Sequence, residues 1–414
     1  MKKTLWIIDH YSSEPQYGGY TRQYDLAKGI AQHGINVVVF ASSFSHFSHK
    51  YISDQEYTVN EVSSNVHFIY FKTTEYADNS GGKRLIGMLS FMKIINKHYK
   101  TIADEYGGPC WVVASSPHIF DWKIGDKIAK KMNAEYNIEI RDFWPLELRT
   151  NNDPLLYKII YSYFDWLETR SFYKAKHIIC TLPFGKEYFT DTNKKGKEKV
   201  IYIGQPLNCE EYDQKARDNW GLIPSDIRDF IKTDNYCVFS GYYMKYEGVY
   251  HMLEAAKEIP EIKFVFVGSG EEKDSMIKYV EENNLSNVYI GERIKKEAIP
   301  ALLSRSIICL AYLHDDNNSD MYKYGMSKNK VNEYLYSGAI TIMGFDDEQN
   351  EINESGGGIT FNTESNKFPE LIQYVSKLSQ EERKAIGEKG RQYISKIHNI
   401  SSLTEIYLEK VLTL

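Results

Sequence analysis

No stretch of this 414-residue chain approaches the ~18–20 uninterrupted apolar residues that a membrane-spanning helix requires. Cysteine is scarce. Cys110, Cys180, Cys209, Cys237 and Cys309 are scattered and odd in number, with no CxxC spacing, which argues against a zinc framework and for reduced, mostly buried thiols. The opening "MKKTLWIIDH" has basic residues, but Asp9 cuts its apolar run too early for a secretory signal, so Leu5–Ile8 is read as a buried strand. There is no low-complexity linker, no short-period repeat and no excess of positive charge. With 50 Lys+Arg against 56 Asp+Glu, net -6, a broadly basic nucleic-acid binder is excluded. Residues 1–200 carry 26 basic against 22 acidic side chains and residues 201–414 carry 24 against 34, so any basic surface belongs to the first half.

What is present is alternation. "LWIID", a periodic segment ending at Gly34 and "INVVVFAS" form a strand–helix–strand unit, and buried parallel strands read as continuous apolar runs. Further strands are expected at "VHFIYF", "WVVASS", "YNIEI", "HIICTL" and "KVIYIG". The stretch "QPLNCEEYDQKARDNWGLIPSDIRDF" breaks the pattern. A second series follows in "YCVFSG", "KFVFVG", "NVYIGE", "IICLAYL" and "AITIMGF", and the tail after about Lys367 is helical. The length fits about two domains of ~200 residues. The expected fold is α/β, with two Rossmann-like doubly wound domains facing across a cleft: 1–205, 206–390, and a helical tail 391–414 packing back on the first domain. Ligand groups are expected in loops at the carboxyl ends of the strands.

The most informative segment is "YGMSKNKVNEYLYSG". Ser327 is a candidate N-cap and Gly338 a candidate stop for the helix between them. Val331 and Leu335 can face a core, while Lys330, Glu333 and Ser337 share another face. Free N–H groups around Met326–Asn329 and the positive end of the helix dipole suit a diphosphate. Lys330 can neutralise it, and Glu333 can accept hydrogen bonds from vicinal ribose hydroxyls. The plain alternative is a solvated charge on a surface helix.

This segment resembles the donor site of glycosyltransferase family 4, retaining enzymes of the GT-B fold. It is most similar to the bacterial O-antigen and capsule branch that includes fucosamine-transferase-like proteins. The likeness extends in order through "IIDHY…GGYTRQYDLA", "ASSFSH", "ASSPHIF", "RDFWPLE" and "NVYIGERIKKEAIP". The resemblance implies that Glu333 binds the donor ribose and that backbone at Met326–Ser327 meets the diphosphate. It also implies that Arg293–Ile294 lies against the nucleobase, and that the Gly18–Gly19 loop approaches the phosphates from the other domain. Two positions depart from the family. Gly325 stands where a second glutamate is common. "SGYYMKYEGVY" puts Tyr242 and Glu247, after Gly241, where an arginine and a lysine usually stand, leaving Lys245 or Lys330 as substitutes. His118, at the end of "WVVASSPH", and Asp142, before Phe143 and Trp144, are the catalytic candidates. The alternatives are a surface histidine and an Arg141–Asp142 pair bracing a turn.

Residues 81–100 combine Lys83, Arg84, Lys93, Lys97 and Lys100 with Leu85, Met88, Leu89, Met92 and Ile95 at helical spacing. That pattern suits a peripheral contact with an anionic membrane, or a core helix with a basic outer face. The expected protein is a cytoplasmic retaining glycosyltransferase that can sit at the inner face of the cell membrane. It would use a nucleotide-diphosphate sugar, UDP rather than GDP, and a lipid-linked or polysaccharide acceptor, with no cofactor, no metal and no nucleic acid. Three alternatives stay open: a metal-dependent GT-A enzyme using His314, Asp315 and Asp316, a sugar-nucleotide epimerase, and a catalytically inactive nucleotide-sugar-binding or scaffold relative.

Overall fold

The computed structural model describes residues 2–76, 82–143, 155–232, 235–314, 322–347 and 349–414. The chain forms two compact units, Met1–Pro206 with Ile400–Leu414, and Leu207–Asn399. The second crossing lies at Ile400 rather than near 391, because Gln380–Ile397 is one uninterrupted helix.

The first unit contains β1 (Thr4–Ile8), β2 (Asn36–Ser42), β3 (Tyr57–Ser63), β4 (Val66–Phe71), β5 (Trp111–Ser115), β6 (Glu135–Ile140), β7 (Ile178–Cys180) and β8 (Val200–Tyr202). They form one sheet in the order β3-β4-β2-β1-β5-β6-β7-β8, parallel except for β3, which pairs antiparallel with β4. All of β1, β2 and β5 is buried, as expected for strands covered on both faces. One face carries Leu5, Ile7, Val37 and Val39 against Leu26 and Ile30, and the returning segment adds Leu403, Tyr407 and Val411 to the same cluster. Helix Gly82–Tyr106 buries Met88, Phe91, Ile95, Tyr99 and Ile102. Met88 and Ile95, two of the residues expected to offer a membrane face, are therefore used in the core, and the helix shows solvent Lys83, Lys93, Lys97, Lys100 and Ile86.

The second unit contains β9 (Tyr236–Tyr242), β10 (Lys263–Ser269), β11 (Val288–Gly291), β12 (Ile308–Tyr312), β13 (Ile340–Gly344) and β14 (Gly358–Phe361). The order β11-β10-β9-β12-β13-β14 is all parallel. Alternate residues of β9 serve opposite faces: Tyr236 and Val238 join one core cluster, Cys237 and Phe239 the other. The strandless stretch after Pro206 is helical, with Cys209–Asp218 capped by Asn208, whose side chain accepts from the Glu211 N–H, and Ser225–Ile231 following. In both sheets the order runs outward in two directions from the first parallel strand, so each has a switch point, between β1 and β5 and between β9 and β12. Open α/β sheets bind ligands at the carboxyl ends of such strands. Among the described residues no helix is long and apolar enough to cross a membrane, and the five cysteines are free, all but Cys110 buried.

Candidate functional site

In the second unit, Asn329–Ser337 is a helix because Val331, Tyr334 and Leu335 share a buried face and Gly338 ends it with φ +86. Its N-cap is Lys328, not Ser327. Lys328 has extended backbone (φ -110, ψ 119) and no side-chain cap, so the Asn329 and Lys330 N–H groups lack intrahelical partners, while Val331 N–H donates to the Lys328 carbonyl at 3.1 Å. The Ser327 hydroxyl beside them is buried and has no hydrogen-bond partner among the described residues. Ser337 faces inward, donating to the Tyr334 carbonyl at 2.7 Å. Tyr334 fixes the helix to the end of β9: its hydroxyl accepts from Ser240 N–H at 2.8 Å and donates to Ser240 O at 3.2 Å.

That anchor places Lys330 over the Phe239 ring, 4.8 Å from its centroid. A Cβ added at Gly241 would lie 3.2 Å from Lys330 Nζ, so glycine leaves room for the ammonium. Lys330 is paired with Glu247, and Lys328 Nζ lies 3.4 Å from the other Glu247 oxygen. Burial pushes the Glu247 carboxyl up, but Lys330 and Lys328 outweigh it and hold it below the usual range. Lys245, in contrast, is largely exposed, 4.0 Å from Glu272, and stands outside this cluster. Gly325 has φ +88, a left-handed conformation that disfavours a glutamate at this position. Met326 is buried.

Glu333 lies three residues beyond Lys330, a rise of about 4.5 Å along the helix. Its side chain is half-buried and makes no hydrogen bond or ion pair with any described residue. Burial raises its carboxyl above the ordinary value, with Lys296 and Lys215 opposing. Ile294 packs against the core patch that holds Met326 and Val331, while Arg293 is exposed. The structure thus gathers Gly241, Gly325, Met326, Ser327 and Lys330 at one helix start, with Glu333 a turn further along the same helix. Glu247 and Lys328 are the members sequence reasoning did not assign as ligand groups. Their signal was the paired lysines of "KNK" facing a lone carboxylate in "KYEG". His314 bonds Thr363 at 2.7 Å, while Asp315 and Asp316 lie outside the described residues.

In the first unit, charged groups meet at the ends of β1, β5 and β6. Glu139 is buried and accepts from Arg22 Nε at 2.9 Å and Ser115 Oγ at 2.7 Å. Burial pushes Glu139 up, but Arg22, Ser115 and Arg141 together hold it below its ordinary value. Arg141 Nη1 reaches Asp9 at 3.4 Å and its guanidinium lies 4.4 Å from the Tyr20 ring centroid. Asp142, in contrast, is exposed beside it, and Trp144 lies outside the described residues.

His118 is the N-cap residue of helix Ile119–Met132 and fully buried, so it is not a surface histidine. Its Nε2 is 3.6 Å from Asp121 Oδ1, its ring packs edge-on to His10 at 4.9 Å, and the His10 N–H donates to Asp121 at 3.0 Å. Neither ring nitrogen of His118 has a hydrogen-bond partner among the described residues. Burial, reinforced by Arg84, pushes His118 down to about 3; His10 is also lowered, and burial raises Asp121. Both histidines are therefore neutral near pH 7, and Asp121 completes a cluster with them. By residue type they could hold a metal, their ligand atoms lying within 4.8 Å of one another. The Arg84 guanidinium, donating to the Tyr11 hydroxyl at 3.1 Å, adds positive charge that opposes a cation there. Gly18 and Gly19 have φ +74 and +89 and line an open cavity with His10, Tyr11, His46 and Phe47. A Cβ at Gly19 would meet Phe47 at 3.0 Å.

Residues 249–409 match the family model described as glycosyl transferase-like. No curated protein matches the chain. Among solved structures, HepE from Anabaena in complex with UDP is 14% identical, with 100% of each chain covered and a TM-score of 0.65. A glycosyltransferase from Rickettsia africae is 15% identical over 99% of each chain, with a TM-score of 0.65. An E. coli structure described as trehalose-6-phosphate bound with UDP-2-fluoro glucose is 11% identical, covering 100% of this chain and 99% of the other, with a TM-score of 0.71. The fold, two parallel-sheet α/β domains with a helical C-terminal segment, is the one these structures share.

Proposed function

We propose that this chain is a retaining glycosyltransferase of the family 4 type. It transfers a sugar from a nucleotide diphosphate, UDP rather than GDP, to a lipid-linked or polysaccharide precursor of a bacterial surface glycan, on the cytoplasmic side of the membrane. The observation that carries the reading is the start of helix Asn329–Ser337, where two lysines, an unpartnered hydroxyl and free N–H groups precede an unpaired carboxylate on the same helix. That sequence of charges matches diphosphate followed by ribose. The glycosyl transferase-like match spans it, and the UDP and UDP-2-fluoro glucose in the HepE and E. coli structures favour a uridine donor.

In this reading the bond from sugar C1 to the diphosphate oxygen breaks while the acceptor hydroxyl oxygen bonds C1 on the same face. The hydroxyl proton passes to the departing diphosphate. The chain's task is to position the partners and stabilise the leaving charge. Lys330, Lys328 and the helix start do the second, in place of a divalent cation, and Glu333 holds the ribose. Asp142, being exposed, meets the acceptor. His118, buried and neutral, positions its neighbours and does not touch substrate.

Calorimetric titration of UDP, GDP and their sugar conjugates, with and without chelator, tests the proposal. One nucleotide should bind without metal, and Glu333→Ala should weaken it by roughly 1.5–3 kcal/mol, the scale of a hydrogen bond to a charged acceptor. Equal binding by wild type and variant removes Glu333 from the site. A second reading, a relative that binds nucleotide-sugar without turnover, is favoured by Glu247 standing where the resemblance places a cation; intact binding with no transfer to any acceptor would select it.

A further inference from the structure

Helix Leu155–Lys174 exposes a stripe that the core does not explain. From Lys158 onward its exposed positions are Lys158, Ile159, Ser162, Tyr163, Trp166, Thr169, Arg170 and Tyr173, spaced so that they share one face. Ile159 is 62% exposed, Trp166 55% and Tyr173 76%, values that place them fully at the surface. Tyr163 and Trp166 stack at 6.0 Å, and the Arg170 guanidinium lies 5.6 Å from the Trp166 ring centroid. Among the described residues no acidic side chain is exposed on this face. The acidic side chains of the same stretch are turned away, Asp165 to Lys194 at 3.2 Å and Glu168 buried beneath.

The neighbouring helix extends the surface. Ile119–Met132 packs beside it, Phe120 against Phe164, and Lys123 Nζ donates to the Tyr163 hydroxyl at 3.3 Å. Lys123, Lys127 and Lys130 are exposed at helical spacing, and Asp126 between them is paired with Lys174. The result is a surface of tyrosine, tryptophan and isoleucine set among lysine and arginine, with its carboxylates neutralised or hidden.

We infer that this face of helix Leu155–Lys174, with Lys123, Lys127 and Lys130, docks on an anionic lipid bilayer. Charge complementarity selects the occupant. Tyrosine and tryptophan rings settle at the boundary between headgroups and hydrocarbon, and each basic side chain near an anionic leaflet adds about 1 kcal/mol. An amphipathic surface with low overall hydrophobicity lies in the interface and does not span it. The inference stands apart from the proposed sugar transfer, since vesicles without substrate test it.

The full chain is sedimented with vesicles of phosphatidylcholine alone and of phosphatidylcholine with about one third phosphatidylglycerol. Binding is expected to the second, to weaken with salt, and to be negligible to the first. Lys123→Glu with Lys127→Glu should lower the partition coefficient by at least ~10-fold, since two contacts of about 1 kcal/mol are lost and replaced by repulsion. Trp166→Ala should lower it several-fold, and Ile86→Ala, on the helix Gly82–Tyr106, should leave it unchanged; thermal melts confirm that each variant folds. In vesicles with brominated acyl chains, wild-type fluorescence should be quenched and Trp166→Phe should lose most of that quenching. Failure of wild type to bind anionic vesicles overturns the inference, as does equal binding by the charge-reversal variant. A concentration-dependent dimer abolished by Trp166→Ala overturns it in favour of a second copy as the occupant.

Discussion

Replacing Glu247 by glutamine keeps the shape of its side chain and removes the charge that holds Lys328 and Lys330. The side chain of Glu247 is 9% exposed, against 25% and 17% for the two lysines. Breaking a buried ion pair from one side costs ~3–5 kcal/mol, and the residual exposure of the lysines places this case near the lower bound. For a unit the size of residues 207–399, where each kcal/mol moves the midpoint by about 2–4 °C, a loss near 3 kcal/mol lowers Tm by about 6–12 °C. The same substitution should strengthen nucleotide binding. In wild type a diphosphate competes with the Glu247 carboxylate for both ammonium groups; in the variant it meets them unopposed. Scanning calorimetry with and without UDP should therefore show a larger UDP-induced rise in the variant. Titration should give about tenfold tighter binding, equivalent to ~1.4 kcal/mol. A variant that melts within about 2 °C of wild type, less than 1 kcal/mol on this scale, would show that the lysines do not depend on Glu247. Weaker UDP binding by the variant would refute the competition and make Glu247 a ligand contact.

Acid should destabilise the first unit through His118. Its folded value of about 3 lies below that of a free histidine, so its contribution is complete above pH ~6.5 and shrinks as pH falls, by ~2 kcal/mol at pH 5. Denaturant unfolding at pH 7 and pH 5 should show that dependence reduced in His118→Asn; Asp121, whose carboxyl is raised, works in the opposite direction in both proteins. Gly325→Glu, which restores the residue common in the resembled family, should lose ~1–2 kcal/mol from the φ +88 conformation. It should bind UDP no better than wild type, as read by melting and titration. Glu139→Gln should lower stability by ~3–5 kcal/mol because Arg22 stays buried without its partner, measured by urea unfolding.

The parallel strands were legible because burial on both faces writes them as unbroken apolar runs, as in "NVVVFAS" and "KFVFVGS". The two strands that were not, β3 and β14, are sheet edges. "YTVNEVS" is half-exposed along its length and "GITF" is short and begins with glycine, so neither carries that signal. The helix at Asn329 could be read from its apolar spacing and its stop at Gly338, but its start was misplaced by one residue because a serine normally outcompetes a lysine as cap. Glu247 and Lys330 are far apart in sequence, and the Tyr334 link to β9 and the shared core bring their elements together. The His10–His118–Asp121 cluster hides for a similar reason: its members sit at the ends of two strands whose adjacency follows from the sheet order.

The segment Ile400–Leu414 has a consequence for how the protein is made. Leu403, Tyr407, Val411 and Leu412 are buried in the same cluster as β1 and β2, and Thr404 packs against Gly29, where a Cβ would lie 2.3 Å from its Oγ1. These side chains are synthesised after the whole of residues 207–399. At 5–20 residues per second that interval is about 10–40 s. During it the early strands are out of the ribosome with one flank of their core uncovered, while the later unit is already able to close. The half made first is thus finished last, and for that interval the nascent chain offers chaperones an apolar surface that the completed protein does not have.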